Sequence, residues 1–384
     1  MSGRRTLLLV CAALSVCTAL LAAAPTNAAF SPKLKRKLAL VVKNNMTDSR
    51  LPGVGVGVWQ PGRGNWVRAF GTADRKTGRR ARTTDHVRIA SITKTFTATA
   101  ILQLVDQGRL SLDDHLSMFV PGVDNGDRIT IRQVLDMTSG IYDFTDDARI
   151  GKRFYAKPML RFGPAQFFAI LRRHKPAFAP GTKAVYCDSN YYLLGLILEK
   201  ITGRPAGRII TDQIIRPLRL RNTSYPTGQT LPKPFANGYF GGLDLTGPLR
   251  DVTVINPANG ATAGAMQSTL GDLRKWAKAL ATGQVLSRSL QAQRLQTVPF
   301  PNPGSPVDIS YGLGIFKLDN LLGHNGAVIG YSTAMFYLPS KRAAIVVWGN
   351  NSTNSTTPAT TIAFDLAEIL FPKAVDQGVI NGTT

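Results

Sequence analysis

The chain has 384 residues and a formal net charge of +23 at pH 7, from 46 lysines and arginines against 23 aspartates and glutamates. A hydrophobic share of 44% excludes a disordered chain and is enough for a large core. The positive charge attracts polyanions, but the basic residues are scattered (Lys33, Lys35, Arg36 and Lys37; Arg79, Arg80 and Arg82; Arg216, Arg219 and Arg221) with no aromatic interleaving. That pattern reads first as a solvated basic surface without a specific nucleic-acid module, and electrostatic association with an anionic cell wall is the alternative it allows.

Residues 1–29 read as an export signal. Arg4 and Arg5 form a basic start, residues 6–24 an apolar stretch, and Thr26-Asn27-Ala28-Ala29 a small-residue cleavage site. Without them 355 residues remain, and the charge falls to +21 with the loss of Arg4 and Arg5. The expectation is a secreted or cell-wall-associated protein with no membrane span, since no later segment is long and apolar enough. Cys11 and Cys17 lie in the signal, so Cys187 would be alone and without a disulfide. The four histidines are well separated, so no metal site and no cofactor are expected.

Residues 31–45 have the pattern of an amphipathic helix. Residues 53–59 and 65–70 alternate with period two around Pro61-Gly62-Arg63-Gly64, which predicts a hairpin. From 91 to about 300 helices dominate, over 92–107, 131–137, 164–173, 191–202, 207–215, 270–281 and 289–295. Loops rich in proline and glycine separate them at 174–185, 225–250 and 298–306. Strands return at 311–317, 328–338 and 343–349, and a last helix covers 359–371. Strands at both ends predict an α/β fold: an antiparallel sheet built from both termini, flanked by helices, with an inserted, mainly helical subdomain. The sheet part would take about 30–90 and 300–372, and the subdomain about 91–299, within one domain over 30–384. The seam between the two parts is the expected place for a small-molecule site.

Ser91-Ile92-Thr93-Lys94 is the only place where a lysine stands three residues after a serine. At the start of a helix the two lie on one face, about one turn apart. A serine hydroxyl needs a neighbour to take its proton, and a desolvated lysine can do so. The helix start adds backbone N–H groups where an oxyanion would form. Downstream come Tyr186-Cys187-Asp188, Tyr311-Gly312-Leu313-Gly314 and Gly323-His324-Asn325-Gly326-Ala327, with Thr138-Ser139-Gly140 as a helix-end turn.

These motifs, in this order, resemble the penicillin-recognising serine hydrolases, in the branch that joins class C β-lactamases, secreted D-alanyl-D-alanine carboxypeptidases and related esterases. The resemblance runs from about residue 50 to 370 and includes Gly71-Thr72-Ala73-Asp74 and Leu104-Val105-Asp106-Gln107-Gly108. It implies the β-lactamase/transpeptidase-like fold and an acyl-enzyme on Ser91. Lys94 and Tyr186 share the general-base work, with the choice between them open. The backbone N–H groups of Ser91 and Ala327 form the oxyanion hole, His324 lines the cleft and bonds the tyrosine or substrate, and Asp188, Asn325 and Gly326 contact substrate. The implied substrate is a small molecule or peptide, a peptidoglycan stem peptide or a β-lactam. A carboxypeptidase-like peptidase acylated by penicillins is the first expectation, with a broad esterase or amidase, a β-lactamase, or a low-turnover penicillin-binding protein beside it.

Three departures bear on substrate. Asp188 stands where the family pattern has Asn, and a carboxylate only accepts hydrogen bonds. His324 stands where β-lactamases of this branch mostly carry Lys. Phe316 cannot hold a terminal carboxylate, and in a continuous strand over 311–317 Lys317 would face the other way. Cys187 is expected to be either at the cleft or buried and inert.

Overall fold

Nine strands form a single antiparallel sheet in the computed structural model, which describes residues 29–372 and 374 apart from 243–246, 301–307 and 353–356. The expected export signal lies outside the described residues, save for Ala29. Strands β1 (Gly53–Gln60) and β2 (Gly64–Asp74) make the expected hairpin, with Gln60 opposite Gly64. Strand β3 (Arg79–Arg80) forms one edge. The far end of the chain supplies β4 (Val298–Pro299), β5 (Ile309–Tyr311), β6 (Phe316–Leu318), β7 (Leu321–Val328), β8 (Tyr331–Leu338) and β9 (Ala343–Gly349). The order is β3-β2-β1-β9-β8-β7-β6-β5-β4. The N-terminal hairpin joins the C-terminal meander through β1 and β9, in register from Val54–Gly349 to Trp59–Ala344.

The Gly-Val-Gly-Val-Gly-Val run of β1 shows how period two becomes two layers. Val54, Val56 and Val58 point to one face, where they pack with Leu38 and Val42 of α1 (Pro32–Asp48) and Ile362 and Leu366 of α11 (Pro358–Leu370). Ser31 caps α1, its Oγ accepting from the Leu34 N–H. Gly55 and Gly57 point to the other face. A Cβ on Gly55 would stand 2.3 Å from the Trp348 ring, and one on Gly57 2.0 Å from the Trp59 ring. Both tryptophans belong to the second core, with Phe96, Ile101 and Trp276. The glycines are therefore vacant positions that two indoles fill.

Between the sheet segments run α2 (Thr93–Asp106), α3 (Ile131–Leu135), α4 (Ala148–Ala156), α5 (Pro164–Leu171), α6 (Asp188–Thr202), α7 (Ala206–Ile210), α8 (Ala261–Gly264), α9 (Leu270–Thr282) and α10 (Arg288–Arg294). Helix α9 lies against β1, β8 and β9, and the Phe96 ring of α2 stacks on Trp276 of α9 at 4.2 Å. Among the described residues no helix is long and apolar enough to cross a membrane.

Two strand expectations need correction. Residues 311–317 are not one strand: β5 ends at Tyr311, a turn follows, and β6 starts at Phe316. Gly314 has φ +78°, and a Cβ there would meet Ala98 of α2 at 2.2 Å, so the Gly-Leu-Gly segment reverses the chain against the helices. The expected strand 328–338 starts at Tyr331, after a turn at Gly330 with φ +91°, and Leu321–Val328 is a strand of its own. Helices α4 and α8 were not foreseen, and α6 begins at Asp188 rather than at 191.

Gly55→Ala is expected to destabilise the protein by about 1–3 kcal/mol through overpacking against Trp348. A lowered urea midpoint with an unchanged slope would show it. A midpoint equal to that of the unaltered chain would mean that the indole moves aside freely.

Candidate active site

Ser91 sits in a short 3-10 turn, Ala90–Ile92, that leads into α2. Ala90, just before it, has φ +46°, a conformation that costs a residue with a Cβ about 1–2 kcal/mol. The turn is held from the sheet side. Thr333 Oγ1 donates to the Ile89 carbonyl at 3.0 Å, and a Cβ on Gly326 would stand 2.5 Å from Ile89 O and 2.8 Å from Ser91 N. Only glycine lets β7 lie this close to Ser91. Gly326 thus reaches the site as backbone.

Lys94 lies one turn on, with its side chain fully buried. Its Nζ donates to Ser91 Oγ at 3.0 Å, to the Ala263 carbonyl at 3.0 Å and to Asp188 Oδ1. An ammonium has three protons, and all three are placed. Burial lowers the basicity of Lys94, but the Asp188 carboxylate and then Tyr186 outweigh it and hold the group above the ordinary lysine range. The resting state is an ammonium–carboxylate pair.

Tyr186 precedes α6, and its ring lies 4.8 Å from Lys94 Nζ. It stacks on Phe316 with ring centroids 6.1 Å apart and planes 4° apart. Its hydroxyl is buried without a hydrogen bond of proper geometry, although Lys94 and Ser91 are its near neighbours. Burial pushes the phenol up to about 12, against the pull of Lys94, so Tyr186 rests protonated.

Asp188 opens α6 and lines the cavity in front of Ser91. Behind it stands Asp143, a residue no motif marked, whose Oδ2 accepts the Asp188 N–H at 2.7 Å and whose Oδ1 accepts Thr145 N–H at 2.9 Å. Burial, and then the charge of Asp188, push Asp143 up to about 7. Ser139 donates to Asn190 Oδ1 at 2.7 Å and is a structural turn residue.

Along β7 the expected residues divide by strand alternation. Ala327 lines the cavity. Val328 faces Tyr331 across a two-residue turn, so the Ala327 N–H points away from β8, toward an edge that β6 leaves open beyond Gly323. Asn325 does not face substrate: its Nδ2 donates to Thr357 Oγ1 at 3.2 Å and Thr360 Oγ1 at 3.1 Å, on the α11 side of the sheet. His324 is fully buried and does not line the cavity. Its Nε2 pairs with Tyr311 Oη at 3.1 Å rather than with Tyr186. Burial and then the Lys94 charge push it down to about 3, which keeps it a neutral imidazole behind the tyrosines. Phe316 and Tyr311, read from sequence as strand residues, are the wall that holds Tyr186. Lys317 is exposed on the other side of β6.

The cavity in front of Ser91 has a volume of about 330 Å³. A carbonyl seated there would meet a serine whose oxygen already touches an ammonium, beside the buried phenol of Tyr186 and within the part of the cavity lined by Ala327. That is a geometry for acyl transfer.

The Beta-lactamase family model matches residues 38–368. Protein flp of Staphylococcus aureus (strain MW2) is 29% identical over 328 residues, which cover 82% of this chain and 63% of flp. The chain therefore matches less than two thirds of that relative's length. Among solved structures, a D-stereospecific amidohydrolase from Streptomyces sp. is similar at 30% identity and a TM-score of 0.77, over 87% of this chain and 99% of that one. The penicillin binding protein from Bacillus halodurans, 23% identical with a TM-score of 0.72 over 86% and 99%, shares the fold.

Cys187 sits next to the site but points into the protein. It is buried, its Sγ donates to the Ile141 carbonyl at 3.4 Å, and burial with Asp143 raises the thiol well above its usual range. In the native protein Cys187 is expected to resist a maleimide and to react only after denaturation, read by peptide mapping. Rapid modification of native protein with loss of activity would place the thiol in the cleft.

Proposed function

The chain belongs to the Beta-lactamase family, and on that premise we propose that it is an exported serine hydrolase. It attacks amide or ester carbonyls with Ser91 and passes through an acyl-enzyme. The observation that carries this reading is the set of three bonds made by Lys94, to Ser91 Oγ, Asp188 and the Ala263 carbonyl, beside the buried Tyr186 hydroxyl. In acylation the fraction of enzyme whose Lys94–Tyr186 pair has already lost one proton takes the Ser91 proton as Oγ bonds to the carbonyl carbon. The same pair returns a proton to the leaving group, and the N–H groups of Ser91 and Ala327 hold the oxyanion. Water then repeats the sequence in reverse and releases the acid. The likeness to an amidohydrolase and to a penicillin-binding protein supports peptide-type substrates, D-alanyl peptides and β-lactams among them. The basic start of the chain supports export, and the net charge supports retention at an anionic wall.

A fluorescent penicillin is expected to label the protein covalently, and Ser91→Ala to abolish labelling with an unchanged circular dichroism spectrum. Labelling of the variant at the original rate would remove Ser91 as the nucleophile. Labelling without turnover of a nitrophenyl ester or a D-alanyl peptide would make the protein a penicillin-binding protein of low turnover.

Asp188 also sets the pH at which the base is free. Asp188 raises Lys94 as well as Tyr186, and only the deprotonated form of either accepts a proton. The acylation rate therefore rises with pH on an alkaline limb, and Asp188→Asn removes a raising charge from both groups. The limb is expected to move to lower pH in that variant, read from labelling rates between about pH 6 and 10.5. An unmoved limb would exclude both groups as the titrating base.

A further inference from the structure

Although the protein carries a net charge of +23, among the described residues no lysine or arginine lines the cavity in front of Ser91. Its wall is apolar, with Phe144, Phe154, Phe240, Ile255, Val328 and Ile329, and its charged lining residue is Asp188. The exposed Lys152 and Arg153 of α4 stay outside it, and Lys94 is sealed beneath it.

Asp188 is not fully used. Its Oδ1 takes Lys94, and its side chain remains 25% exposed. Asp143 stands directly behind, joined through the Asp188 N–H. Among the described residues Asp188 is thus the one carboxylate that lines the cavity, its Oδ1 paired with Lys94, and Asp143 adds negative charge behind it when ionised. Such a wall repels a free carboxylate on the substrate and attracts a cation. The buried Tyr186 hydroxyl lies at the same end, with Lys94 and Ser91 as its near neighbours.

We infer that the cleft selects an acyl donor that carries a free ammonium next to an apolar side chain, with Asp188 as the residue that binds the ammonium. This rests on the Ser91 acyl-enzyme reading above. A carbonyl carbon at attack distance, about 3–3.5 Å from Ser91 Oγ, brings an α-ammonium within reach of Asp188, since Lys94 bridges Asp188 and Oγ. The side chain of the same residue enters the apolar part of the cavity. The substrate class is an amino-acid amide or ester, or a peptide cleaved after its free N-terminal residue. In the overall reaction water adds across the acyl bond: the acid keeps its ammonium, and the amine or alcohol leaves with one proton.

Three p-nitroanilides of phenylalanine, in both hands, test this: the free amine, the N-acetyl and the N-succinyl derivative. For the faster hand, kcat/KM of the free amine is expected to exceed that of the N-acetyl compound by about tenfold or more. The anionic N-succinyl compound should be slowest. Asp188→Asn should bring the free-amine and N-acetyl values to within about threefold of each other, and Asp143→Asn should narrow the same gap. An N-acetyl compound processed as well as the free amine, or a gap unchanged in Asp188→Asn, would overturn the inference while leaving the acyl-enzyme intact. Labelling of Ser91 by fluorescent penicillin is followed in parallel. Its absence would instead overturn the acyl-enzyme reading and the inference with it. If labelling occurs but no anilide turns over, the three compounds are ranked as competitors of labelling. The same order supports the inference, and any other order overturns it.

Discussion

One buried ammonium organises this molecule. Lys94 has no exposed surface, and an unpaired cation there would be strongly destabilising. Its three protons therefore dictate where three separate elements must sit: the turn at Ser91, the start of α6 at Asp188 and the Ala263 carbonyl in α8. The neighbouring threonines fasten the same junction. Thr97 donates to the Thr262 carbonyl at 2.7 Å, and Thr93 Oγ1 accepts the Met266 N–H at 3.0 Å. Helix α2 is so thoroughly buried that hydroxyls on it need partners: α8 supplies one for Thr97, and carbonyls a turn earlier accept from Thr95 and Thr99. Ser91 and the ion pair are thus parts of one packing problem.

The sheet supplies the other half of the site by close approach. Strand β7 lies against the Ser91 turn because Gly326 has no side chain, and its edge is open because β6 stops pairing at Gly323. Alternation along the strand then assigns tasks. Gly326 packs on the turn, Ala327 turns its N–H to the cavity, and Asn325 ties the strand to α11 through Thr357 and Thr360. An aromatic wall of Phe316, Tyr311 and Tyr186, with ring centroids 4.6–6.4 Å apart, fixes the phenol with few polar bonds.

Charge is distributed against the overall composition. The chain is strongly basic, yet among the described residues the cavity in front of Ser91 is lined by one carboxylate, Asp188, and by no lysine or arginine. An Asn at position 188 would leave Lys94 without its counter-charge and lower its basicity. Asp188 keeps the ion pair intact at rest and so separates this site from one built on Tyr-x-Asn. The surface field and the buried pair differ in reach, because salt screens exposed charge over about 10 Å while the buried pair is screened far less.

Much was legible in the sequence by itself. The order of motifs led to the family, period two in residues 53–59 and 343–349 led to strands that pair, and the spacing of Ser91 and Lys94 led to a shared helix face. Each of these signals is local, carried by residues a few positions apart. What only the tertiary structure decided depends on contacts across long separations. Asp143 reaches the site through one bond to the N–H of Asp188, a link no spacing rule encodes. His324 and Asn325 sit in a recognisable motif, but strand alternation and the depth of the sheet turned one toward Tyr311 and the other toward α11. Residues 311–317 are patterned like a strand, and they bend because Gly312 and Gly314 meet the Arg294 carbonyl and Ala98 at distances no Cβ could share. Sequence pattern specifies which residues share a face of their own element; which neighbour that face meets is set by packing the whole chain.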